Sequence, residues 1–593
     1  MLALAVVAAC LLGFGAFQGT KAARAAFAGK AALQRAEAQI NEGKLDEAAT
    51  SLTLARADFA ESRDEVRLLE RVLPFSRWIP LVGTQVRGVA AMADSGVLLS
   101  EAGMRLTDAA SSIIDPEQEQ LELSDALAQL REVQGLLRSG VNSIDEAAAK
   151  VDSLDGKLLI RPLGRARSDL AGRLPDIRRR AIEAADGLSS LITFAGGDGP
   201  RSYLVLSQNP DELRPTGGYI GTYGVLSAVG GKLSLDRYDS IESWYTTHPE
   251  AVAGPEERQG PLRFDPRPGG TLANVNSGPD WTQAALLASR LWERGGEAPV
   301  QGVVSFTPAF LGRILSVIGP VEVEAFGETI SAENLVERLD YYTHLLPPAP
   351  GEDRKEIIAE LAKALMPKLF GAQASKWEGL AKVLGQAFAS REAMVWSADA
   401  DVARVLAERG WDGAVPATEG DFVLPAEFEY ANKNGRELRR TYDHHVVINS
   451  DGSAQVTTVL TLINPDPPST QNLESVTYIT MYGPAGAVLD QGSDPLGIQE
   501  TEVSGHPGVA WFRPVSPQSQ TTVKVVWNVP KLVETTADGD RTYSLRWMRH
   551  PDHVGDTLKL SVVLPSGWRW ADGAPPAEAS LDHDFAGTWA IDQ

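Results

Sequence analysis

The chain has 593 residues, with 55 Lys and Arg against 78 Asp and Glu, a formal net charge of −23. So acidic a chain makes a poor general nucleic-acid binder, because phosphate contacts need Lys and Arg. A single cysteine, Cys10, excludes an intramolecular disulfide framework and any multi-cysteine zinc or iron–sulfur site. Residues 2–17, LALAVVAACLLGFGAF, are all apolar or Gly, and Lys21 is the first charge. A spanning helix takes about 20 apolar residues, with about 17 as the lower end. Residues 1–20 are therefore predicted as a transmembrane signal anchor, with the bulk of the chain extracytoplasmic and the cell membrane as its location. A cleaved signal peptide and an inward-facing body remain as alternatives, since the positive charges follow the run.

Residues 21–190 hold only 5 of the 36 prolines, and their apolar positions recur at three- and four-residue steps. Leu45, Ala48, Leu52, Ala55, Phe59 and Val66 are one such series; Leu127, Leu130, Val133, Leu137, Val141 and Ile144 are another. An α-helical spacer of three to five long helices, packed as antiparallel hairpins, is predicted. PFSRWIPLVG (74–83) breaks the first series, because Pro lacks the N–H and clashes with the preceding turn. Asp115-Pro116 marks another helix start.

Residues 191–425 alternate apolar strands with amphipathic helices, the pattern of a central α/β domain. Strands are predicted at 203–208, 219–228, 232–238, 301–307 and 320–326, with Gly230-Gly231 as a hairpin turn. Helices are predicted at 281–294, 308–318, 331–345, 353–370, 375–394 and 400–409. Residues 248–280, rich in Gly, Pro, Asn and Asp and carrying Asn274, read as a long irregular loop, either functional or disordered. Residues 426–593 lose the helical period. Paired runs such as 442–449 and 454–464, around Asp451-Gly452, predict a C-terminal antiparallel β-sandwich.

The densest chemistry lies in SYLVLSQNPDELRPTGGYIGTYGVLSAVGGKLSLDRYDSIESW (202–244). A strand ends in Gln208-Asn209-Pro210, and Glu212, Arg214 and Gly217-Gly218 follow at once. Ligands of open α/β sheets sit beyond the carboxyl ends of strands, paired glycines permit close backbone approach, and Arg offers a planar fork to phosphate or carboxylate. Asn209, Glu212, Gly217, Gly218 and Asn274 are the candidate substrate-binding residues. A Pro-Gly turn with a structural Arg–Glu pair explains the same residues without a ligand.

The run QNPDELRPTGGYIG after a strand resembles the bacterial domain-of-unknown-function family 4012, and FEYANKNGRELRRTYDHHVVINSDGSAQVTTVLTLIN (428–464) resembles that family's entry into its terminal β region. More distantly, residues 300–339 resemble the late core of the LytR-CpsA-Psr proteins and residues 352–369 resemble their arginine-bearing helix. That second resemblance implies transfer of polyprenyl-pyrophosphate-linked glycopolymers, with arginines on the pyrophosphate and carboxylates on Mg²⁺. It implies catalytic roles for Arg214, Arg237, Asp239 and Arg354, and a metal-holding role for Asp239. Tyr238 occupies the motif's arginine position, with Arg237 one place earlier, and Gln208-Asn209 stand at its early aspartate. Two functions stay open: an envelope phosphotransferase acting on a lipid-linked glycopolymer, and a non-catalytic envelope scaffold with a degenerate pocket.

Outside that segment, His444 and His445 are neighbours on a predicted strand and face opposite sides. His550 and His553 flank a Pro-Asp turn that could also meet His583. Trp568 and Trp570 share a strand face, where stacking on carbohydrate competes with ordinary core packing.

Overall fold

The computed structural model describes residues 21–72, 80–113, 123–263, 270–346, 355–429, 433–435, 437–469, 472–494, 499–536, 539–551, 553 and 555–592. The chain divides into two compact units, residues 1–199 and 200–593.

The first unit is helical. Its long helices are α1 (Lys21–Asn41), α2 (Leu45–Val72), α3 (Pro80–Ile113), α4 (Leu123–Asp152) and α5 (Arg161–Phe194). Successive helices pack on one another, the first through a narrow seam of small residues and the later ones through mixed Ala, Leu, Ile and Val clusters. Ala22, Ala25, Gly29, Ala32 and Ala36 line the buried side of α1, and Phe59 of α2 fills the space this leaves. Residues 73–79, which hold most of the expected break, lie outside the described residues; α3 begins at Pro80. The helix start at Asp115-Pro116 lies outside the described residues.

The expected transmembrane helix must be corrected. Among the described residues no helix is long and apolar enough to cross a membrane, because each of the five long helices carries acidic and basic side chains along its length. The apolar run itself, residues 1–20, lies outside the described residues. The fold class is therefore mixed α+β and multidomain.

The second unit opens with a five-stranded sheet of order β3-β2-β1-β4-β7, formed by β1 (Arg201–Asn209), β2 (Tyr219–Val229), β3 (Lys232–Ser240), β4 (Gly302–Phe306) and β7 (Ala393–Ser397). The β1–β4 pair is parallel and the others are antiparallel. The β2–β3 hairpin turns at Gly230 and Gly231, both at positive φ, which glycine adopts without strain. Helices α6 (Ile241–Thr247) and α7 (Trp281–Arg294) bury Trp244, Trp281 and Trp292 against Leu204, Leu206, Ile220 and Val303. Asp280 caps α7 by accepting from Gln283 N, and its second oxygen accepts from Val415 N. A second apolar cluster joins α8 (Pro308–Ile318), α9 (Leu335–Asp340), α10 (Glu356–Phe370) and α11 (Trp377–Ala389) to a small hairpin of β5 (Val321–Val323) and β6 (Glu328–Ile330). A last helix, α12 (Ala400–Glu408), precedes the sandwich.

The β-sandwich begins at β8 (Asp421–Glu429). One sheet contains β9 (Arg439–Ile448), β10 (Ala454–Asn464), β12 (Val488–Leu489), β15 (Ser519–Val529), β18 (Thr557–Val563) and β20 (Glu578–Ser580). The other contains β8, β11 (Ser475–Tyr482), β13 (Gln499–Val503), β14 (His506–Val515), β17 (Arg541–Trp547), β19 (Arg569–Trp570) and β21 (Phe585–Asp592), with β16 (Glu534–Thr535) paired to β17. Alternating strand residues such as Tyr442, Val446, Val456, Leu460, Trp511, Val523, Trp527 and Trp547 fill the space between the sheets. The sandwich is not purely antiparallel: β8 pairs with β17, and β9 with β18, in parallel. Trp568 and Trp570 pack against the margin of this core, and Arg541 lies over the Trp568 ring.

Candidate functional site

The loop between β1 and β2 begins with Asn209, whose Oδ1 accepts from Asp211 N, an Asx turn that reverses the chain. Gly217 sits at φ 139, and a Cβ on Gly218 would lie 2.0 Å from Asn209 O. The paired glycines are therefore needed to fold the loop back on itself. Gln208 Oε1, fully buried, accepts from Thr216 Oγ1, Gly218 N and Asn276 Nδ2, and Asn276 Nδ2 also reaches Gly218 O. This amide network locks the loop against the segment 271–278. Gln208, Thr216 and Asn276 were not among the expected site residues. The Asn-x-Asn spacing of Asn274 and Asn276 is the sequence signal for two short polar side chains facing one loop.

Arg214 is buried within this loop. Its Nε donates to Asn274 Oδ1 at 2.9 Å, and its Nη1 donates to Leu213 O at 2.7 Å and Glu429 O at 3.0 Å. The guanidinium lies 4.0 Å over the Phe428 ring and 5.3 Å from the Tyr219 centroid. Burial lowers its pKa, against the charge of Glu212 and the neighbouring phenols. Next to it, Leu213 enters the core of the β-sandwich. Leu213 O accepts from Glu429 N, Asp211 O accepts from Gly435 N, and Glu212 pairs with Lys433 at 2.8 Å. The loop is thus a plug, seated from the α/β domain into the sandwich at the end of β8.

The remaining expected residues lie elsewhere. Arg237 pairs with Glu297 at 2.8 Å and stacks over Trp292 and Tyr223. Among the described residues Arg214 and Arg237 have no partner in common. Asp239 is exposed, and its Oδ1 accepts from the adjacent Ser240 N. Tyr238 ends a hydroxyl chain through Thr222 to Ser207, with 2.8 Å at each step. Arg354 lies outside the described residues. Lys355, which follows it, donates to Gly221 O and pairs with Glu242 across the start of β2.

Strand, plug, paired glycines and hairpin form one continuous unit. Residues 198–342 match DUF4012, a family described as a protein of unknown function. No curated protein matches the chain. The DUF4012 segment covers the first four strands of the sheet, the plug and helices α6 to α9, and it ends before β7 completes the sheet. Among the described residues no group of three or more His, Cys, Asp or Glu is placed to hold a metal ion. In the DUF4012 segment, the polar side chains at the carboxyl end of β1 bind one another and the sandwich.

Proposed function

We propose that this chain is a non-catalytic scaffold or binding protein of the bacterial cell envelope, in which the DUF4012 segment serves as a structural joint. The observation that carries the reading is Arg214. A pyrophosphate clamp needs an arginine whose fork is open to an anion. Here the fork is engaged by two backbone carbonyls and the Asn274 amide, and Phe428 covers its face. Arg237 is likewise held by Glu297 and two aromatic rings. The envelope assignment rests on the resemblance to envelope families in the sequence.

The test is binding of a polyprenyl-pyrophosphate analogue to the full chain, with and without Mg²⁺. No saturable binding is expected, and Arg214→Ala should lower thermal stability without creating or abolishing any. Saturable, Mg²⁺-dependent binding lost in Arg237→Ala or Asp239→Ala would overturn this reading and restore the glycopolymer transferase.

A further inference from the structure

A second joint between the α/β domain and the sandwich lies at the turn before β7. Arg391 occupies a left-handed conformation, φ 56, which is strained for a side chain other than Gly or Asn. This turns its guanidinium into the sandwich, where Nη2 donates to Arg549 O and, at 2.9 Å, to Asp584 Oδ1. Arg549 N donates to the same Asp584 oxygen, and Arg549 Nη2 reaches back to Ser390 O. Arg549 Nη1 holds the turn that follows by donating to His553 O.

Inside that turn, His550 and His553 stack with ring centroids 4.1 Å apart and planes within 13°. Both are almost fully buried. His550 Nδ1 faces Pro551 O at 2.8 Å, so Nδ1 carries the proton and Nε2 is a bare lone pair. Among the described residues that Nε2 has no hydrogen-bond partner, and neither ring nitrogen of His553 has one. Asp556 Oδ2 stands 3.4 Å from His553 Nδ1, out of hydrogen-bonding alignment.

We propose that the His550–His553 stack is an acid-sensitive latch on this joint: closed while both imidazoles are neutral, and opened between the α/β domain and the sandwich when they take up protons. The charges around the stack explain why. Arg440 from β9, Arg549 from the turn and Arg391 from the α/β domain bring three guanidiniums to it. Glu427 from β8 already pairs with Arg440, and Asp584 is held by Arg391 and Arg549 N. Among the described residues Asp556, influenced by Asp582 and the Arg440 charge, is the carboxylate left to the stack; Tyr442 lies beside Asp556 and Glu427, and His583 beside Asp582. A proton on either imidazole adds a fourth positive charge to a buried site. Burial, reinforced by Arg440, lowers His550 to about 4 and His553 well below its usual value. An exposed histidine titrates near 6.5. The closed joint therefore has its full stability above about pH 6.5 and loses it as pH falls toward about 4, because the open form binds more protons.

Peptide-resolved hydrogen exchange on the full chain, corrected for intrinsic rates, tests this between pH 7 and 5. Peptides spanning 386–395 and 546–558 should lose roughly 20-fold of protection per histidine, and at each pH should stay less protected than β10 and β15, which exchange only when the sandwich unfolds. His550→Gln and His553→Gln should each remove one histidine's share of that loss, and the double variant both. Unchanged protection of the joint in the wild type would overturn the latch. So would joint peptides as protected as β10 and β15, which would mean that the joint opens only with the whole sandwich, or the same loss in the variants. The wild-type profile decides even if a variant fails to fold.

Discussion

Glu427 and Arg440 face each other across the sandwich as a two-pronged ion pair, at 2.7 and 2.8 Å, with both side chains sealed from solvent. Arg440 Nη1 also donates to Leu438 O. Burial alone would raise the Glu427 pKa, but the Arg440 charge and hydrogen bonds hold it below the usual carboxylate value. Removing one partner strands a buried charge. Glu427→Ala should therefore cost about 3–5 kcal/mol, and the double replacement Glu427→Leu/Arg440→Met should cost less than that single change. Denaturant unfolding of the three proteins checks the order.

Leu213 belongs by sequence to the DUF4012 segment and by packing to the sandwich core. Leu213→Ala should lose about 2–5 kcal/mol, the usual cost of such a cavity. The loss should appear in the unfolding of the sandwich, read from hydrogen exchange in β10 and β15. A loss confined to the five-stranded sheet would show that the plug does not bear on the sandwich.

Glycine is required at 218 and not at 221. A Cβ on Gly218 would collide with the Asn209 carbonyl at 2.0 Å, whereas one on Gly221 would meet only the tip of Lys355 at an ordinary 3.6 Å. Gly218→Ala should unseat the plug and lower the melting temperature by several degrees. Gly221→Ala should leave it within about one degree of wild type, apart from its effect on strand propensity. Calorimetry on the pair distinguishes them.

Glu429 works in the opposite pH direction to the histidine latch. Burial raises its pKa to about 8; Oε1 accepts from Ser475 Oγ, and among the described residues Oε2 has no partner to steady the ionised form. In the unfolded chain a glutamate titrates near 4.3. The folded state thus holds the proton more tightly, and this contribution is full below about pH 4.3 and lost as pH rises through about 8. The slope approaches roughly 1 kcal/mol per pH unit in between. Glu429→Gln should remove that slope, seen as a flatter stability profile from pH 5 to 8.

Much of the fold is legible locally. The α7 helix follows its apolar period over 281–294, Pro308 starts α8, and the Gly230-Gly231 hairpin forms where its turn chemistry places it. The strand β7 is not legible, because AFASREAMVW is rich in helix formers; the helix stops at Ala389, and Arg391 in the left-handed region redirects the chain. The parallel pairings of β8 with β17 and β9 with β18 join residues more than a hundred positions apart, which no local period encodes. At the candidate site, the residue types drew attention to the right loop. Its charge suggested an anion, but the acceptors of Arg214 are carbonyls contributed by folding, and one of them comes from β8, far along the chain.

The place of β8 has a consequence for synthesis. This strand, buried along its whole length, lies between β11 and β17 and receives the plug at its end. Its β17 partner, Leu545 opposite Asp421, leaves the ribosome more than a hundred residues later. Until then one side of β8 has no strand to bond to, and Leu213 has no finished core to enter. Pairings so distant in sequence form slowly, since the loop between them must be closed first. A chain cut short before residue 547 would therefore leave both the sandwich and the DUF4012 plug unfinished, so truncations at the carboxyl end should be felt more than three hundred residues upstream.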